Sequence, residues 1–106
     1  MRKIATLNVP KGDVRRLMIY AFDASAYVFG FSSLEDGPSD WDQWYETAEA
    51  AEQSAREQFG VQASDWTVID DPLPDAQHDW IHPTRVKRDA HGNKLWGQFE
   101  ALPTAG

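Results

Sequence analysis

Two histidines four residues apart, His78 and His82, stand with Asp75 and Asp79 in the stretch DPLPDAQHDWIHP, from Asp71 to Pro83. Imidazoles at that spacing share one face of a helix and can chelate zinc, and Asp75 as a third ligand would leave a fourth position open for water. A small metal-dependent enzyme or ligand-binding protein using Asp75, His78 and His82 is therefore one reading of the chain. The neighbouring residues oppose it. Pro74 and Pro83 leave room for two helical turns at most, and no glutamate stands beside either histidine as a hydrolytic base would. The expectation is an extended polar connection that Trp80 and Ile81 pin to the core, with solvated histidines and no cofactor.

Other chemistry has less to work with. Asp70 with Asp71, Glu35 with Asp36, and Asp40 with Asp42 are paired carboxylates, but acid–base catalysis needs two carboxyls in a cleft that pushes their pKa values apart. A Gly/Pro/Ser-rich loop holds four of these acids and suggests solvated turns, with Asp40 at the start of a short helical turn. No serine matches a nucleophile elbow, the glycines are scattered, and there is no cysteine. The reading leans away from an enzyme, and no catalytic residue is assigned.

Five tryptophans exceed what one small core of this size commonly uses. Trp66 and Trp96 fall in expected strands and are assigned to the core. Trp41, Trp44 and Trp80 fall in polar loops beside acids, where an amphipathic ring can cover a core edge or anchor a partner. The acidity continues along the outer face of the helix that follows. Trp41, Trp44, Glu46, Glu49 and Glu57 make up the candidate partner-binding surface: the charge would speed encounter with a basic protein and the rings would supply affinity.

The net charge of −7 is unevenly spread, with fourteen of the seventeen acids lying between Leu17 and Thr84 beside a single base, Arg56. The other nine bases lie outside that span. Such a chain repels phosphate backbones at long range, so nucleic acid is disfavoured as a partner. RNA or another polyanion becomes a reading only if Arg15, Arg16, Arg85, Lys87 and Arg88 meet on one sheet face, with Tyr20 or Tyr27 available for stacking.

Hydrophobic periodicity supplies the elements that must position these groups. KIATLNV reads as a strand closed by the turn formers Pro10 to Asp13, and Val14–Phe22 and Ala26–Ser33 read as a hairpin across DAS. Both hairpin strands are apolar on both faces, so something must cover each face or part of one is a contact surface. The clearest helix runs from the N-cap Thr47 to Phe59, with Ala48, Ala51, Ala55 and Phe59 at helical spacing, Glu52 able to pair with Arg56, and Gly60 as a left-handed stop. Its alanine stripe covers one sheet face and leaves aromatic surface unaccounted for. DWTVID reads as a further strand, and Thr84–Arg88 with Lys94–Glu100 as a last hairpin turning at DAHGN.

These elements predict an α+β fold: a single antiparallel sheet of four to six strands with one main helix, about residues 47–59, on one face. A length of 106 residues with 42% hydrophobic composition suits one domain over the whole chain, with a frayed tail from about residue 102. The first residues lack the apolar run of a signal peptide and no stretch is long enough to span a membrane, which with the missing cysteines predicts a cytoplasmic protein. The leading expectation is a non-enzymatic interaction or regulatory module that binds a basic protein through its acidic, tryptophan-rimmed surface, or associates with itself through an exposed sheet face.

Overall fold

A computed structural model describes residues 1–102. Among the described residues the strands are β1 (Arg2–Lys11), β2 (Val14–Phe22), β3 (Ser25–Phe31), β4 (Trp41–Tyr45), β5 (Thr67–Ile69), β6 (Thr84–Arg88) and β7 (Lys94–Ala101), with one α-helix, α1 (Ala48–Phe59), and a short 3-10 turn at Ala63–Asp65. Five strands form an antiparallel sheet in the order β4-β3-β2-β1-β5. The last hairpin does not join it and makes a two-stranded sheet of its own. The architecture is α+β, as expected, with two sheets where the sequence suggests one.

Local rules account for the boundaries of the helix. Thr47 Oγ1 accepts the Ala50 N–H at 3.0 Å, a cap worth about 1 kcal/mol. At the other end Gly60 takes φ +73°, and its N–H and that of Val61 return to the carbonyls of Arg56 and Ala55. Glu52 pairs with Lys3 of β1, not with Arg56, because the helix lies on the sheet and a strand lysine reaches it first. The alanine stripe allows that approach: Ala51 and Ala55 are buried against Ala5, Leu7, Leu17, Ile19, Ala26 and Val28. Half-buried Trp66 packs on this core from the strand end, as expected.

Three expectations are corrected. The first strand continues through Pro10 and Lys11 to a turn at Gly12, after a break in its register with β2 between Thr6 and Lys11. The segment containing Trp41 and Trp44 is a strand, β4, paired with β3 from Trp41↔Gly30 to Tyr45↔Ala26, and Asp40 leads into it with its N–H on the Gly30 carbonyl. Trp96 is 73% exposed. Its hairpin packs through Val86 and Phe99 against residues 76–80 and stands clear of the five-stranded sheet, so strand residence does not bury it. The expected fraying of the chain end lies, beyond Leu102, outside the described residues; Leu102 itself donates to the Pro83 carbonyl.

The second sheet face has its own cover. Even-numbered residues of β2 and odd-numbered residues of β3 point to it, which gathers Met18, Phe29 and Phe31 with Ile4, Tyr20, Tyr27 and Ile69. The stretch Asp70–Pro83 crosses this face and sets Ile81 on the cluster. Arg2 holds it there: Nε donates to Asp70 O at 2.7 Å, Nη1 to His78 O at 3.0 Å and Trp80 O at 2.5 Å, and Nη2 to Ile81 O at 3.4 Å. Asp36 receives the N–H groups of Ile81 and His82 at 2.8 and 2.9 Å, and Asp79 receives the Ser39 N–H and hydroxyl, both at 2.8 Å. The acids and prolines of this stretch thus build a lid for a sheet that has only one helix. It is a layer of the fold as well as a connection.

Candidate functional site

The lid covers only part of the second face. Towards β4 the sheet stays open, and the alternation of β2, β3 and β4 places Phe22, Tyr27, Phe29, Asp42 and Trp44 on that side. Tyr27 stands opposite Tyr20 and Trp44, and Phe29 opposite Asp42. The rings make a continuous floor: Tyr20 to Phe22 at 4.9 Å between centroids, Phe22 to Tyr27 at 5.9 Å, and Tyr27 to Phe29 at 6.1 Å, the last two pairs each inclined by 18°. Packing this regular is usual inside a protein, yet Phe22 is 37% and Trp44 52% exposed.

The lid edge supplies the wall. Ala76, Gln77, His78 and Asp79 face the rings across a cleft of about 570 Å³ that Ser39 and Asp42 also line. His78 stands edge-on to Tyr20 at 5.0 Å, which fixes this corner. Gln77 N–H donates to Thr84 O at 2.7 Å and ties the wall to the base of the last hairpin. Asp79 spends one carboxylate oxygen on Ser39 and keeps the other, while Asp42 is exposed and makes no side-chain hydrogen bond to the described residues. Two carboxylates beside a floor of ring faces favour a cation: the charges attract it, and the negative faces of the rings hold it once it is partly desolvated.

The residues expected to form one acidic, tryptophan-rimmed surface are divided by the sheet. Trp41 and Trp44 are three positions apart in β4 and point to opposite faces. Trp41 lies over Gly30 on the helix side, stacked on Phe59 at 6.0 Å, and serves the core edge. Glu49 and Glu57 are exposed on the outer surface of α1, and Glu46 is exposed in the link from β4, so of the five only Trp44 stands on the face of the cleft, opposite Tyr27 and beside the residues that line it. The contributors that the sequence reading missed are Asp42, Phe22, Tyr27 and Asp79. The signal available for them was the apolar character of both faces of the β2–β3 hairpin.

The histidine pair does not assemble into a centre. His78 turns to Tyr20, the His82 N–H is taken by Asp36, and Asp75 sits in a turn at φ +68°. Among the described residues no group of three or more His, Cys, Asp or Glu is placed to hold a metal ion. The five bases that a polyanion reading would need on one sheet face do not all gather there: Arg85, Lys87 and Arg88 belong to the separate hairpin. Arg16 is buried on the second face with its guanidinium 4.2 Å over Phe31, Arg15 is exposed on the opposite face, and Arg85 pairs with Glu100 at 2.8 Å. No helix among the described residues is long and apolar enough to cross a membrane. No protein-family model, no curated protein and no solved structure matches the chain.

Proposed function

We propose that this protein is a non-enzymatic interaction module whose cleft between the aromatic floor of β2–β4 and the lid receives a lysine- or arginine-bearing segment of a partner protein. The observation that carries the reading is the cleft in which the rings of Phe22, Tyr27 and Phe29 meet Asp42 and Asp79, with exposed Trp44 beside Tyr27 on the same open side of the sheet. Aromatic anchors supply affinity, carboxylates at the rim supply steering and selectivity for a cation, and the excess of acids over the whole chain extends that steering. The absence of cysteine supports a reducing, cytoplasmic setting.

The test is a heteronuclear NMR titration at low salt with a short synthetic peptide of lysine, arginine and glycine, beside a glutamate counterpart. The basic peptide is expected to shift resonances of Tyr27, Phe29 and Asp42, and the acidic one to shift none. Trp44→Ala should weaken binding by about 3- to 30-fold, the range expected for one cation–π anchor. Shifts scattered over the helix face, or equal shifts with both peptides, would end the reading.

A further inference from the structure

A second cleft adjoins the first and carries the opposite charge. It measures about 480 Å³ and is lined by Val86, Arg88 and Lys94 of the last hairpin, by Arg85, which pairs with Glu100, and by one acid, Asp75, so that Arg88 and Lys94 set its sign. Ala76, Gln77 and His78 line both clefts, so the negative, aromatic half and the positive half form one continuous surface. Two residues beyond Lys94 in β7 is Trp96, on the same side by strand alternation, with the Lys94 ammonium 5.0 Å from its ring centroid. At 73% exposure this ring stacks on no other aromatic ring among the described residues and carries only the Lys94 ammonium over it. Lys94 and Trp96 together have the chemistry the first cleft is built to receive.

A surface with an acidic, aromatic half beside a basic half bearing an exposed tryptophan matches itself after a half-turn, because the rotation lays each half on its opposite. We infer that the chain associates with a second copy of itself through this surface, the hairpin of each copy laying Lys94 and Trp96 in the other's cleft against Asp42 and Trp44. The inference rests on the reading of the first cleft as a receptor for a cationic segment, and it names that segment. A two-fold arrangement makes the contact twice, so two modest anchor sites add within one closed dimer. RNA on the basic half is disfavoured by Asp42, Asp75 and Asp79 next to it.

Sedimentation velocity on the full chain up to about 1 mM, near the weak limit of measurable association, tests this. The wild type should form a dimer that weakens as salt is raised. Asp42→Lys alone and Lys94→Asp alone should each be monomeric, and both positions are exposed, so circular dichroism should show unchanged folds. An equal mixture of the two variants should recover the dimer. In the mixed pair the D42K cleft faces the K94D hairpin and the unaltered cleft faces the unaltered hairpin, so both contacts again join opposite charges. A monomer throughout, a dimer indifferent to both substitutions, or no recovery on mixing overturns the inference. If that monomer still takes the basic peptide, the receptor reading stands and only the second copy is wrong; if it takes neither, both fall.

Discussion

Arg2 and Arg16 are both nearly sealed from solvent on the lid side of the sheet, at 2% and 3% exposure, yet their surroundings differ. Arg2 donates to four carbonyls of the lid, whereas the Nε and Nη2 of Arg16 are buried with no hydrogen-bond partner among the described residues, and of these residues Asp36 is the one whose charge favours it. Burial lowers the pKa of both guanidinium groups, but arginine keeps its charge, so the unmet donors of Arg16 are a standing cost. Arg2→Met is expected to lose about 3 kcal/mol in urea denaturation, since four partly buried carbonyls lose their charged donor. Arg16→Met keeps the stack on Phe31 and is expected to stay within ~1 kcal/mol of the wild type or to exceed it. A loss from Arg16→Met as large as that from Arg2→Met would mean that Arg16 is paired in solution. At this scale the sequence misdirects: His78 and His82 draw notice because they are close together, while Arg2 has acceptors 68 to 79 residues away and no local pattern marks it.

The elements were legible to the degree that their signals are local. Helix α1 declares its period, its cap and its stop within one short stretch, and all three are observed. Strand β4 does not, because WDQWY follows a run of turn formers and its pairing with β3 is decided by contacts 11 to 19 residues away, from Trp41↔Gly30 to Tyr45↔Ala26. Its seat depends on Gly30: a Cβ there would fall within the indole of Trp41. Gly30→Ala is therefore expected to cost about 1–3 kcal/mol and to raise the solvent quenching of tryptophan fluorescence as Trp41 is displaced. The turn of the last hairpin is also locally written, although of His91, Gly92 and Asn93 only Gly92 adopts a positive φ. Asp89 organises this turn by accepting the Asn93 and His91 N–H groups at 2.9 Å, and those bonds, the Asn93 one foremost, hold its carboxyl below the usual range. The stabilisation is complete above the ordinary carboxylate pKa and is lost as pH falls through the lowered value. The protection of the Asn93 amide against exchange, taken relative to its intrinsic rate at each pH, should fall in that acidic window, and Asp89→Ala should show the lower protection already at neutral pH.

Over the whole molecule, which extends 46 × 29 × 26 Å, the uneven charge of the sequence acquires an address. The basic C-terminal hairpin lies alongside the cleft formed from the acidic middle of the chain, a proximity that segregation along the sequence could suggest but not place. The question of what covers each face of the β2–β3 hairpin was legible too. Its answer was not, because the lid has no regular secondary structure and is held by contacts distant in sequence, from its carbonyls to Arg2, from its N–H groups to Asp36 and from Asp79 to Ser39. Peptide binding in the cleft is expected to weaken several-fold between low and physiological salt, with Lys3→Gln, on the helix side of the sheet, leaving that salt dependence unchanged. Closure of the lid also sets an order of events during synthesis. The first strands leave the ribosome well before Trp80 and Ile81, so Met18, Phe29 and Phe31 stay uncovered until the last third of the chain arrives. Over that interval the nascent protein displays that apolar cluster, and its yield on expression is expected to depend more on chaperone supply than the stability of the finished fold would suggest.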